Sequence, residues 1–182
     1  MHSRIRLREL RETDVTAVHR LLSDLRVVRH MAFPVHTEEA ARRFVASALD
    51  QSAPGGLRSL VWAIVDPPGG MEQEAHDGPV IGLCGLVLER GGIQGELWYL
   101  LEPGSWGQGL ATEAARQVLA AGFGEHKLHR IWASCLPENP ASAHVLKKLG
   151  MHREGYLRKN LRIRGEWHDS YLYAILREEW RR

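Results

Sequence analysis

The stretch Glu102-Pro103-Gly104-Ser105-Trp106-Gly107-Gln108-Gly109-Leu110-Ala111-Thr112-Glu113-Ala114 joins small residues, a Gly-x-Gly turn and a helix-like continuation. It follows an apolar run over 97–101. In a strand, glycine turn and helix start, backbone N–H groups converge on one spot, and the helix macrodipole adds positive potential there. The chemistry that suits is the holding of a phosphate or another anion. Gly107, Gly109 and Ala111 carry little or no side chain, so an anion can approach the main chain closely. Two familiar phosphate loops fail on spacing. A dinucleotide fingerprint needs a glycine where Thr112 stands, and a P-loop needs Lys and Ser/Thr where Leu110 and Ala111 follow Gly109. The glycine pair alone also suits a plain tight turn.

Such a loop has to be held by a scaffold, and the hydropathy pattern describes one. Residues 5–8 alternate and read as a first strand. Thr13-Asp14 can cap a helix with Val15, Val18, Leu21 and Leu22 on one face. Thr37-Glu38-Glu39-Ala40 opens a second helix with Ala41, Phe44, Val45, Ala48 and Leu49 on one face. The turn between them, over 23–36, carries Arg29, His30, Met31 and Phe33. Three strands follow in hairpin order over 60–65, 80–88 and 93–101, with a long polar loop over 66–79. A helix over 110–123 sets Leu110, Ala114, Val118 and Leu119 toward the core. A strand over 130–136, a helix over 139–149 closed by Gly150, and a hairpin of 155–163 and 167–176 complete the chain. The order is β, α, α, β, β, β, α, β, α, β, β, with no repeat and no linker. One domain over 1–182 is expected, of α+β class, with a mostly antiparallel seven-stranded sheet and about four helices. One strand–helix–strand crossover, from 93–101 to 130–136, requires a parallel pair. Ligands favour the carboxyl ends of such strands.

A second motif directly follows the second of those strands: Pro137-Glu138-Asn139-Pro140-Ala141-Ser142-Ala143-His144-Val145-Leu146-Lys147-Lys148-Leu149-Gly150-Met151. With the glycine loop it resembles the GNAT superfamily of acetyl-CoA-dependent N-acetyltransferases. The family's phosphate motif, Arg/Gln-x-x-Gly-x-Gly/Ala, falls on Trp106-Gly107-Gln108-Gly109-Leu110-Ala111. Glu96-Leu97-Trp98-Tyr99 and Trp167-His168-Asp169-Ser170-Tyr171 resemble the RimJ/RimL-type branch, named for acetylation of ribosomal protein N-termini. The chain departs from the family at Trp106, where Arg or Gln is usual, and at Leu146, where many members carry a tyrosine general acid.

The resemblance implies acetyl-CoA as donor and direct attack of a primary amine on its thioester. The N–H groups of Gly107, Gln108, Gly109, Leu110, Ala111 and Thr112 would hold the pyrophosphate, beside Trp106. The family's two central parallel strands splay apart, so Tyr99, Leu100 and Leu101 would offer main-chain groups to the pantetheine arm and the acetyl carbonyl. A carbonyl held by a main-chain N–H becomes a better electrophile. Asn139 and Ser142 would reach the pantetheine arm, and they equally suit an N-cap. Ser142 is also the candidate proton donor to the departing thiolate, since Leu146 cannot serve. Lys147 and Lys148 suit a solvated helix face.

An amine attacks only when neutral, and an α-amine with a pKa of ~7.7–8.0 requires less help than a lysine at ~10.4. Glu96 is the candidate general base, acting through water, with an exposed strand carboxylate as its plain reading. Glu113 suits a structural place at the helix start, and Asp169 the ordering of the last hairpin. Arg29, His30 and Phe33 border the acceptor site if the resemblance holds, with Arg162 and Arg164 from the last hairpin. The acceptor is expected to be a protein N-terminal α-amine or a small-molecule amine. The alternative is a non-catalytic domain that binds or senses acyl-CoA.

Bulk properties narrow the partners. A net charge of +2 over 182 residues, with scattered Lys and Arg, does not indicate nucleic acid. No apolar stretch is long enough for a membrane span, and no signal-peptide core precedes the first strand. Cys84 and Cys135 make neither a disulfide framework nor a CxxC pair, and they read as small strand residues. His126 and His129 lack companion ligands, so no metal site is expected. A cytoplasmic monomer or homodimer fits these properties.

Overall fold

The computed structural model describes residues 3–50, 59–66 and 78–180. Along them run β1 (Arg6–Glu9), α1 (Val15–Ser23), α2 (Leu25–Val28), α3 (Glu38–Leu49), β2 (Ser59–Val65), β3 (Val80–Glu89), β4 (Gln94–Leu101), α4 (Leu110–Gly124), β5 (Arg130–Cys135), α5 (Pro140–Lys148), β6 (His152–Ile163) and β7 (Glu166–Leu176). The strands make one sheet in the order β1-β2-β3-β4-β5-β7-β6. Every neighbouring pair is antiparallel except β4 and β5, which α4 joins as the expected parallel crossover.

Both faces of this sheet are covered, which explains the unbroken apolar run of β3. On one face Val18, Leu21 and Leu22 of α1 and Ala41 and Val45 of α3 pack on Ala63, Val65, Leu83 and Leu100. On the other, Ala114, Ala115, Val118, Leu119 and Phe123 of α4 pack on Ile64, Leu86, Leu97 and Ile131. Full burial of one such Leu, Val or Ile contributes about 1.5–3 kcal/mol. Alternation along β4 therefore has a clear reading. Leu97, Tyr99 and Leu101 face α4, whereas Trp98 and Leu100 face α1–α3. Glu96 falls on the α1–α3 side.

Local signals account for the element ends. α5 closes in a Schellman motif: Gly150 N–H donates to the Lys147 carbonyl at 3.0 Å and Met151 N–H to the Leu146 carbonyl at 3.1 Å. Gly150 takes φ +81° there, which a side chain resists. The cap expected of Asp14 does not form. Its carboxylate instead accepts from Arg8 at 2.6 and 2.8 Å and from Arg11 N–H at 2.8 Å. Burial alone would raise that carboxyl, but the Arg8 and Arg11 hydrogen bonds and charges outweigh it and hold it below its ordinary value. Among the described residues the α-helix count rises to five because α2 stands inside the expected 23–36 turn, started by Asp24, whose side chain accepts from Arg26 N–H. Four residues are too few to show a helical period. Leu49, expected on the core side of α3, is exposed, and β6 starts at His152 rather than at Gly155. The long polar loop expected before Val80 lies outside the described residues except at its ends. Among the described residues no helix is long and apolar enough to cross a membrane.

Candidate active site

The sheet opens where the site residues gather. β4 and β5 pair only from Gln94↔Arg130 to Glu96↔Trp132. β4 continues to Leu101 against β3, while β5 continues to Cys135 against β7. Beyond Glu96 and Trp132 the two strands therefore present edges that no strand among the described residues covers. Glu102 N–H donates to the Ile81 carbonyl at 2.8 Å, which fixes the phase of the β3–β4 ladder. Antiparallel alternation then turns the Leu100 main chain toward β3 and the Tyr99 and Leu101 main chains toward the opening. So Leu100 is directed away from the gap, with its side chain buried under α1–α3. The Leu101 carbonyl is closed by the Trp106 indole, which donates to it at 2.7 Å. The Tyr99 N–H and C=O and the Leu101 N–H are the main-chain groups left along that edge.

At the end of β4 the chain turns through the glycine loop. Gly107 and Gly109 take φ +74° and +82°, in the left-handed region, and a Cβ on Gly107 would meet nothing within 4 Å. The glycines therefore serve the turn and leave open space above it. Gly109 is the N-cap of α4 and has no side chain to cap its first turn, so the N–H groups of Leu110, Ala111 and Thr112 face the loop's concavity. The Leu110 side chain itself is buried. Gln108 holds the loop's shape by donating to the Gly104 carbonyl at 2.9 Å. Trp106 is exposed by 43% and flanks the same opening. A pyrophosphate fits this cradle, because the open space and the free helix start coincide.

Arg4 completes the loop and was not foreseen. Its guanidinium donates to the Gln108 carbonyl at 2.7 Å, lies 3.6 Å from Glu113, and stands 3.5 Å from where a Gly109 Cβ would be. Glu113 also accepts from Arg4 N–H at 2.7 Å and from the Ser3 hydroxyl at 2.5 Å. Glu113 thus anchors the chain start to α4, in keeping with a structural place. Arg4 is remote in sequence from the loop, and only the fold joins them.

The start of α5 forms the opposite wall. Asn139 Oδ1 accepts from Ser142 N–H at 3.2 Å, so Asn139 is an N-cap. The Tyr99 hydroxyl reaches across from β4 to Ser142, 2.9 Å from Oγ and 3.3 Å from the carbonyl oxygen. Burial drives the Tyr99 phenol well above its ordinary value, against a smaller opposing effect of the Ser142 hydrogen bond. Leu146 is fully buried in the α4 core and presents nothing to the opening. Lys147 and Lys148 are exposed. Burial pushes the Cys135 thiol up to about 11 and raises Cys84 further, so neither is a thiolate at neutral pH.

Glu96 stands at the last paired position of β4, on the α1–α3 side, half-buried. Burial raises its carboxyl above the ordinary range, and the negative charge of Glu89 adds to that. Glu89 itself accepts from the Trp132 indole at 3.1 Å. No cation pairs with Glu96 among the described residues, so its proton affinity is not pulled back down. A carboxylate with that bias is a competent proton acceptor at mild pH.

The residues expected at the acceptor rim come from two elements that are tied together. Arg164, in the turn between β6 and β7, donates to the Val28 and Arg29 carbonyls, each at 2.9 Å. His30 sits beside them with a buried Nε2 that has no hydrogen-bond partner among the described residues. Burial lowers the His30 imidazole below its ordinary value, with Arg29 reinforcing and Glu138 opposing. Phe33 is linked to β4 by a run of edge-on rings: Phe33–His36 at 5.4 Å, His36–Phe44 at 6.3 Å and Phe44–Trp98 at 6.4 Å. Trp98 is two residues from Glu96, so the aromatic run leads to the same face of the sheet. Arg29 is exposed; its carbonyl accepts from Arg164 and its charge acts on His30. Asp169 accepts from the Tyr156 hydroxyl and from Lys159 N–H, and so orders the β6–β7 hairpin.

Comparison with known proteins identifies the family. The family model of the acetyltransferase (GNAT) domain matches residues 4–152. An uncharacterised N-acetyltransferase of Bacillus subtilis (strain 168), YnaD, is 36% identical over 180 residues, 97% of this chain and 96% of its own. The ribosomal protein uS5-alanine N-acetyltransferase of Escherichia coli (strain K12) is 35% identical over 74 residues, 41% of this chain and 38% of its own. The crystal structure of a GNAT-family acetyltransferase from Bacillus anthracis superposes with a TM-score of 0.80 at 34% identity, over 98% of both chains.

Proposed function

The chain belongs to the GNAT acetyltransferase family, and we propose that it is the α-amino group of a protein N-terminus, of the ribosomal-protein type, that this N-acetyltransferase modifies. Its donor is acetyl-CoA, which brings the acetyl group as a thioester. A small-molecule amine is the competing acceptor. The observation that carries the reading is Glu96, one half-buried carboxylate raised by its surroundings at the mouth of the opened strands. A single carboxylate of that kind suits an α-amine, which is already partly neutral near pH 7, better than a lysine-like amine. The uS5-alanine relative supports the same class of acceptor.

The residues divide the work along the opening. Main-chain N–H groups from Gly107 to Thr112 hold the pyrophosphate, with Arg4 and Trp106 beside it. Asn139, Tyr99 and Leu101 offer polar groups to the pantetheine amides. Tyr99 N–H holds the acetyl carbonyl and polarises it. Glu96 accepts the amine's proton through water, and Ser142 supplies a proton to the sulfur. Arg29, His30 and Phe33 border the acceptor, in the RimJ/RimL manner, with the cytoplasm as the compartment.

Thiol release from acetyl-CoA, measured with a panel of N-terminal peptides and polyamines, tests the proposal. Peptides with small first residues such as alanine are expected to turn over fastest. Preference for a polyamine would overturn the acceptor. Tight CoA binding with no turnover on any amine would overturn catalysis in favour of a sensing domain.

A further inference from the structure

The family's usual tyrosine hydroxyl is missing from α5, yet a phenol still reaches that wall, from the opposite side. We infer that Tyr99 is a positioning residue that orients the Ser142 hydroxyl as hydrogen donor to the leaving sulfur. This deepens the proposed reaction and rests on it.

The argument turns on which atom donates. The Tyr99 hydroxyl lies within reach of both Ser142 oxygens, 2.9 Å from Oγ and 3.3 Å from the carbonyl. A carbonyl oxygen can only accept. Either hydroxyl could donate across the 2.9 Å pair; in the proposed arrangement one phenolic hydrogen is directed between the two oxygens, with Ser142 Oγ as acceptor. The Ser142 hydroxyl hydrogen is then not taken up by Tyr99 and is free to point elsewhere. The Asn139 cap fixes the Ser142 backbone at 3.2 Å, so the side chain starts from a held position. At the family's usual position Leu146 is apolar and buried and offers no proton. The phenol stays protonated throughout the working range and remains a donor.

The step balances without further reagents. The amine nitrogen forms the new C–N bond, and the C–S bond breaks with its electron pair going to sulfur. Sulfur takes the Ser142 hydroxyl proton. Ser142 Oγ regains a proton from the one that the amine releases, passed through solvent and Glu96. The Tyr99 proton does not move.

Tyr99→Phe keeps the ring and removes only the hydroxyl, so a folded protein is expected. Its test compares two donors, acetyl-CoA and the selenoester analogue of acetyl-CoA, with the best amine of the panel. A selenolate leaves without needing a proton. Loss of one oriented hydrogen bond should lower kcat about tenfold with the thioester, and no more than about twofold with the selenoester. Adding Tyr99→Phe to Ser142→Ala should cause no further loss. Equal losses with both donors, an unchanged thioester rate, or an additive double variant would each overturn the inference. Absence of wild-type turnover with every amine would instead fail the underlying reaction, a distinct result.

Discussion

Replacing Glu96 by Gln removes a proton acceptor while keeping its size, and the size of the effect should depend on pH. The free α-amine has a pKa of ~7.7–8.0, so at pH 6 about one molecule in fifty is neutral and at pH 9 roughly nine in ten are. A base that strips the proton within the complex can recover up to that deficit. Glu96→Gln should therefore lower kcat/KM about fiftyfold near pH 6 and no more than about twofold near pH 9. The wild type has its own acid limit. Burial and then Glu89 raise the Glu96 carboxyl, and only its ionised form accepts a proton. The wild-type rate must fall as pH drops through that raised value. Glu89→Gln removes the neighbouring charge but keeps an oxygen for the Trp132 indole, which now donates at 3.1 Å. It should shift the acid limb to lower pH and leave the alkaline plateau unchanged. The assay is initial-rate thiol release from pH 5.5 to 9.5 on an N-terminal peptide. An equal loss for Glu96→Gln at both ends would show that Glu96 positions the acceptor and moves no proton. An unmoved acid limb in Glu89→Gln would show that another group sets it.

Three further outcomes are expected. Gly109→Trp should abolish acetyl-CoA binding by calorimetry, because the side chain would fill the cradle above a φ of +82°; retained affinity would place the pyrophosphate elsewhere. Arg4→Gln should weaken CoA about tenfold at low salt and less at high salt, with salt-independent affinity speaking against a phosphate contact. Asp14→Asn should destabilise the fold by about 1–3 kcal/mol in urea at pH 7, since it removes the carboxylate charge that faces the Arg8 guanidinium at 2.6 Å. Because the folded Asp14 carboxyl is depressed, that stabilisation is present above the unfolded pKa of ~3.9 and fades as pH falls through the folded value, so the two proteins should converge in acid.

What could be read in advance depended on how local the signal was. Apolar patterning located all seven strands and the four longer helices: alternation marked β1, a continuous β-rich run marked β3, which is covered on both faces, and helical period marked helices such as α1 and α4, which bury one face. The glycine loop and the Asn139 helix start were legible for the same reason: positive φ and capping are set by adjacent residues. Arg4 beside Gln108 was not legible, because no local rule pairs residues so far apart in the chain. Tyr99 could be placed on a strand, but its side chain meeting Ser142 depends on how far β4 and β5 diverge. Asp14 misled as a cap because Arg8, on another element, competes for its carboxylate. Short α2 escaped for want of length.

The brief contact between β4 and β5 also has a mechanical meaning. The sheet consists of a four-stranded leaf, β1 to β4, and a three-stranded leaf, β5 to β7, hinged over three residue pairs. In the proposed complex, a pantetheine arm lying along the exposed edges would act as a surrogate strand that stitches the leaves together. The donor would then be a structural part of the enzyme while it is bound, and departure of the free thiol would unstitch the leaves.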